Sequence, residues 1–332
     1  MRAVLSHFIL QFFIDRNVCA NTSRPRTFTK MTIPTDQILR GDCLSILRTL
    51  PDECVDVCFA DPPFNLEKKY GEYDDRKELD DYLFWCEEWI RELVRVTKPT
   101  GSIFLHNIPR WLTHYAAILN RNELAHFRHW ISWDALSMPL GKTLMPAHYG
   151  ILFYTKAERG FKFYEVRAPH KHCRLCNGFL KDWGGKIDLR HPFGYLVSDV
   201  WTDIHRIKHN KRRDEHPCQL PIHLLERVVL MSSDAGDVVL DPFLGTGTTA
   251  IAAKRLGRHY IGIELDSGYV KIARQKLHDI TKTKLKGVYV SRYLGKEQTI
   301  RDVDAKKIFP PQLTKQNKRV LQQRVNRKVA AS

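Results

Sequence analysis

The segment Ala60-Asp61-Pro62-Pro63-Phe64-Asn65-Leu66 follows directly on the run "VDVCFA" at 55–60. Two consecutive prolines remove two backbone donors and restrict the chain on either side. What is left is a rigid corner rich in acceptors, the Asp61 carboxylate and fixed carbonyls, with an aromatic ring beside them. A second constellation lies in "VVLDPFLGTGTTAIAA", where a strand gives way to a turn holding Gly245 and Gly247 and then to a helix opening at Thr248. Glycines there let the backbone turn tightly and approach a ligand, and the helix start beyond them donates N–H groups. Glu264 follows about twenty residues on, where an acid can accept both hydroxyls of a ribose. No Gly-Lys-Ser/Thr accompanies the glycines, so a Walker phosphate loop is excluded. On these residues alone the choice is between a dinucleotide, another nucleoside and a plain helix cap.

A third group is "PHKHCRLCNG", in which Cys173 and Cys176 stand in C-x-x-C spacing with His170 and His172 just upstream. Tetrahedral zinc needs four ligands. His170, Cys173 and Cys176, completed by a residue such as His191, would make a structural staple; two buried thiols in a loop fit equally well. Redox use lacks the thioredoxin-like context it needs.

These residues are positioned by short apolar runs that alternate with helical patterns. The spacing predicts strands at 37–43, 55–61, 102–106, 129–134, 149–155, 237–243 and 260–265. Helices are predicted at 78–97, where Leu79, Leu83, Cys86, Ile90 and Leu93 share a face, and at 221–233, 248–256 and up to about 279. Pro99-Thr100-Gly101 is expected to end the first of these. Strands alternating with helices imply a mostly parallel sheet with helices on both faces. From about 157 to 215 periodicity is lost in Gly, His, Lys, Arg and Trp, which reads as a functional insertion.

The chain of 332 residues carries a net charge of +16, unevenly spread. Residues 281–332 hold 14 Lys/Arg against 3 Asp/Glu, residues 1–30 hold 5 against 1, and the middle is near neutral. A neutral body with a basic tail suits a polyanionic partner, or else a solubilising terminus. No run is long enough to span a bilayer. The 8 scattered cysteines suit a reducing cytosol, so a cytoplasmic, non-membrane protein is expected. The apolar start at 3–13 lacks a convincing cleavage site, so residues 1–30 read as a disordered extension.

"DPFLGTGTT" together with "ADPPFNL" resembles the site-specific DNA amino-methyltransferases in the β arrangement, where the DPPF element precedes the cofactor loop. "GDCLSIL", "RVTKPTGSIFL" and "HPCQLPIHLLERVV" extend the resemblance over roughly residues 35–280. It implies a Rossmann-like class I S-adenosylmethionine-dependent methyltransferase fold with circularly permuted motif order. The implied layout is a catalytic half at 31–156, a target-recognition insertion at 157–215, a cofactor half at 216–280 and a basic tail at 281–332.

The resemblance further implies S-adenosylmethionine as cofactor. Asp241, Phe243, Gly245, Gly247 and Thr248 would lie on its methionine and ribose side, Glu264 at the ribose hydroxyls, Asp42 at the adenine amino group and Gln219 at the methionine end. Cys218 stands where the family more often has Thr. Asp42 and Gln219 also read as a turn acid and a helix-start residue. Asp61, Pro62, Pro63 and Phe64 would grip a flipped amino group, with Phe64 stacking on the base; a core phenylalanine is the alternative. Tyr70 and Tyr73 would lie on a loop over the site. Lys68, Lys69, Lys208, Lys211, Arg212 and Arg213 would contact duplex DNA. Asp before Pro-Pro points to adenine N6, with cytosine N4 as the alternative and an inactive DNA-binding protein as the reading of another class. A homodimer and a restriction endonuclease acting on the same site are further partners that the resemblance allows.

Overall fold

The pleat of one strand sorts the molecule into layers. In β2 (Val55–Ala60) all six residues are buried. Val57 and Phe59 join the core on one side of the sheet, whereas Cys58 and Ala60 join the other, as a period of two requires. Such a strand can only lie in the middle of a sheet covered on both faces. The structure, a computed structural model, describes residues 33–66, 69–70, 73–74, 77–135, 147–168, 195–204, 206–207 and 219–282.

Five parallel strands form the heart of the sheet: β1 (Gln37–Arg40), β12 (His259–Glu264), β11 (Val238–Asp241), β2 and β5 (Thr97–Asn107), in that spatial order. Beyond β5 the order continues with β7 (His148–Thr155), β6 (His126–Asp134) and β10 (Val200–Trp201). Here β7 runs antiparallel to both β5 and β6, while β10 runs parallel to β6. α1 (Cys43–Leu47), α2 (Leu79–Val96) and α3 (Pro109–Arg121) pack on one face; α4 (Ile222–Ser232), α5 (Thr248–Arg255) and α6 (Ser267–Lys282) pack on the other. α2 buries Tyr82, Cys86, Trp89, Ile90, Leu93, Val94 and Val96 along one stripe. Each large apolar side chain so placed contributes about 1.5–3 kcal/mol. No helix among the described residues is long and apolar enough to cross a membrane.

Three boundaries differ from expectation. The strand predicted over 37–43 stops at Arg40, because Asp42 accepts from the Ser45 amide at 2.9 Å and caps α1. Pro99-Thr100-Gly101 does not end α2; that helix stops at Val96, and the three residues lie within β5. Their place is a bulge: Val55 pairs with Thr97, yet Val57 pairs with Ser102. Gly101 is needed there, since a Cβ would come within 2.7 Å of the Asp56 carbonyl oxygen. The third difference is α3, which the sequence reading lacks altogether.

The described ends of the irregular stretch belong to the body of the sheet. Val166, Trp201 and Ile204 lie in the main core. Trp133 Nε1 donates to the Ile204 carbonyl at 2.7 Å, and Arg227 Nη2 donates to Asp203 Oδ2 at 2.6 Å. A short pair of strands, β8 (Arg167–Ala168) and β9 (Tyr195–Leu196), joins the two ends of 169–194. A second, β3 (Lys69–Tyr70) with β4 (Tyr73–Asp74), follows the DPPF corner.

Candidate active site

Strand order reverses between β11 and β2: from β11 the path steps outward through β12, and from β2 it steps the other way to β5. Open α/β sheets leave a crevice outside the carboxyl ends at such a point. Here the crevice is a cleft of about 270 Å³, lined by Asp42, Asp61, Pro62, Pro63, Phe64, Gln219, Asp241, Phe243, Gly245, Thr248 and Glu264 among others. The two constellations, far apart in the chain, thus share one cavity.

On the β12 side, Glu264 accepts from the Gly245 amide at 2.7 Å through Oε2 and from the Asp266 amide at 2.9 Å through Oε1. One carboxylate therefore ties the glycine turn to the turn after β12, and each oxygen keeps a second lone pair. Burial pushes its pKa up against these two amide bonds. Asp241 accepts from the Phe243 amide at 2.9 Å and from the Thr249 hydroxyl at 2.6 Å. It is 3% exposed. Burial first, then repulsion from Asp61 and Glu264, pushes its pKa up to about 7. Asp42 uses Oδ1 to cap α1, by bonds from the amide and the hydroxyl of Ser45, while bordering the cleft.

The two glycines have different jobs. Gly245 takes φ +55° and lines the cleft. Gly247 does not line it; with φ +91° it opens α5, and a Cβ there would stand 2.8 Å from the Ala273 Cβ of α6. Close packing of α5 on α6 therefore requires glycine there.

On the β2 side, the corner is bolted from beneath. The Tyr82 hydroxyl donates to the Pro63 carbonyl at 2.7 Å, and Trp111 Nε1 donates to the Phe64 carbonyl at 2.6 Å. Among the described residues the Pro62 carbonyl has no such partner. Asn65, at φ +50°, clamps the far end of the β3–β4 segment through two 2.9 Å bonds to the backbone of Lys77. Phe64 is only 4% exposed, packed at 6.0 Å from the His106 ring and 6.1 Å from the Tyr149 ring. It is a wall of the cleft and not a ring standing free in solvent. Asp61 Oδ1 lies 2.7 Å from His106 Nδ1.

His106, Tyr82, Trp111, Trp85, Lys77, Asp266 and Tyr269 were not singled out in the sequence. For His106 a signal exists. It is the first polar residue after the buried run "SIFL", and Ala60 pairs with Leu105, so Asp61 and His106 end adjacent parallel strands. Lys68, Lys208, Lys211, Arg212, Arg213, His170, His172, Cys173, Cys176, His191 and Cys218 lie outside the described residues, as do the side chains of Lys69, Tyr70 and Tyr73. Among the described residues no group of three or more His, Cys, Asp or Glu is placed to hold a metal.

The doubly wound sheet with its switch-point cleft is the Rossmann-like class I methyltransferase fold. Among solved structures it matches PvuII DNA methyltransferase (cytosine-N4-specific) at a TM-score of 0.54 and 17% identity, over 88% of this chain and 94% of that one. A family model described as DNA methylase matches residues 55–275. The chain is 41% identical over 250 residues to the Type II methyltransferase M.BamHI of Bacillus amyloliquefaciens, covering 75% of this chain and 58% of the relative's length. It is 34% identical over 245 residues to the Type II methyltransferase M.HpaI of Haemophilus parainfluenzae, covering 73% of this chain and 74% of the relative. The chain belongs to the DNA methylase family of N6 and N4 amino-methyltransferases.

Proposed function

We propose that this protein transfers a methyl group from S-adenosylmethionine to the exocyclic N6 of adenine at a specific site in duplex DNA. The observation that carries the proposal is the shared cleft, with a nucleoside-sized lining at one end and an acceptor corner at the other. Its lining includes five acids, Asp42, Asp61, Asp241, Glu264 and Asp266, and among the described residues one cation, Lys77. That set of acceptors fits a cationic ligand with ribose hydroxyls. S-adenosylmethionine supplies an electrophilic methyl on a sulfonium. Glu264 would hold the ribose, Asp42 through Oδ2 the adenine amino group, and Asp241, Phe243, Gly245, Thr248 and Gln219 the methionine side. Gly247 contributes through α5 packing.

The amine of a nucleobase donates its lone pair into the ring and is a poor nucleophile. Two acceptors on its N–H groups, Asp61 Oδ2 and the Pro62 carbonyl, draw it towards a tetrahedral shape and aim the lone pair. The target base must leave the duplex to reach them; Phe64 and Tyr149 wall the place it would enter. The leaving proton passes to Asp61 or to water. Adenine is favoured over cytosine by the aspartate before Pro-Pro. Lys68, Lys69, Lys208, Lys211, Arg212, Arg213 and the terminal tail would supply phosphate contacts, and an endonuclease cutting the same site is the fitting counterpart in the same cytoplasm.

Asp61→Ala should abolish methyl transfer while calorimetry still finds cofactor binding. Binding lost from a folded variant would contradict the role given to Asp61. Detection of modified bases in DNA from cells expressing the protein identifies base and site together; N4-methylcytosine there would replace adenine in the proposal.

A further inference from the structure

We infer that His106 is a positioning residue that locks the Asp61 carboxylate so that one oxygen alone meets the amine. The inference rests on Asp61 being the acceptor. The pair ends two adjacent parallel strands, with Nδ1 and Oδ1 2.7 Å apart. The His106 side chain is 2% exposed, against 14% for Asp61. Its ring is held among Phe64 at 6.0 Å, Trp133 at 5.8 Å and Tyr149 at 5.5 Å, so it has no freedom to turn away.

The tautomer follows from the other nitrogen. Nε2 is buried and, among the described residues, without a hydrogen-bond partner. A proton on Nε2 would leave it an orphaned buried donor and would set the bare Nδ1 lone pair 2.7 Å from an acceptor-only carboxylate oxygen. The neutral ring with its proton on Nδ1 avoids this, and that proton is donated to Asp61 Oδ1 in a charge-assisted bond. An aspartate's last torsion is soft and roughly two-fold, so an unheld carboxylate would rock between its oxygens. Held by His106, it offers Oδ2 to the cleft in one orientation, and orientation is the main thing this kind of site contributes. His106 does not relay the amine's proton, because among the described residues Nε2 has nothing to pass it to.

Three variants of the full-length protein separate this role from packing. Asparagine carries its amide nitrogen where Nδ1 stands, glutamine carries it nearer to Nε2, and phenylalanine has none. The single-turnover rate is read as tritium transferred from labelled S-adenosylmethionine to unmodified genomic DNA, with cofactor Kd by calorimetry and melting temperature alongside. His106→Asn should stay within about tenfold of wild type, whereas His106→Gln and His106→Phe should fall about a hundredfold, as when one preorganised donor is lost. Cofactor Kd should be unchanged in all three. Asparagine falling as far as glutamine, or phenylalanine keeping the wild-type rate, would overturn the inference. Should the phenylalanine variant fail to fold, the asparagine–glutamine comparison decides alone. Asp61→Ala runs in parallel: if it stays active, the reading of Asp61 fails; if it is dead while His106→Gln is fully active, only the role of His106 fails.

Discussion

Burial decides the charge of Asp241, and with it a link between cofactor and stability. Its pKa of about 7 stands well above the ordinary 3.8, through desolvation and then the neighbouring Asp61 and Glu264. An acid with a raised folded pKa holds a proton that the unfolded chain has released. Its contribution is therefore fully present below about pH 4 and is lost as pH rises to 7, a swing of about 4 kcal/mol at most. Asp241→Asn keeps the shape and an acceptor for the Phe243 amide without the charge. It should melt higher than wild type at pH 8, by a smaller margin at pH 5, by calorimetry at both values. An equal gain at both would show that ionisation is not the cause. The same variant should bind S-adenosylmethionine more weakly at pH 8, since a sulfonium loses a negative neighbour. A site that strains the empty protein in order to receive a cation is the ordinary trade between function and stability.

At the scale of elements, α5 and α6 are set by one contact. Gly247→Ala places a methyl 2.8 Å from the Ala273 Cβ at a φ of +91°, so helices must part and backbone strain is added. The expected loss is about 2 kcal/mol, read by denaturant unfolding; a loss confined to cofactor affinity would return Gly247 to the ligand. The sequence showed the strands and helices with strong periodicity, and the cleft residues that sit in rare motifs. It did not show α3, because Ile108 before that helix makes no side-chain cap and its first residue, Pro109, reads as a turn former. The reversed direction of β7 was hidden too, since local pattern carries no pairing direction. His106 escaped for a related reason. A lone histidine at a strand end means little until register puts it beside Asp61.

At the scale of the whole molecule, charge and topology act over distances that no motif records. Residues 281–332, with 14 basic and 3 acidic side chains, follow a body close to neutral. Removing residues 283–332 should weaken binding to duplex DNA and flatten its dependence on salt, followed by anisotropy across a salt series; an unchanged slope would take the tail out of DNA binding. Topology acts in time. Gln37 of β1 pairs with Ile261 of β12, more than two hundred positions later, and Arg274 of α6 reaches back to the Ile38 carbonyl. At roughly 5–20 residues per second of synthesis, β1 waits on the order of ten seconds or more for its neighbour. β2 likewise lacks β11, and Asp61 lacks the acids across the cleft. A nascent chain halted short of residue 264 would hold one wall of the cleft, the Asp61 corner, without the Glu264 wall that faces it.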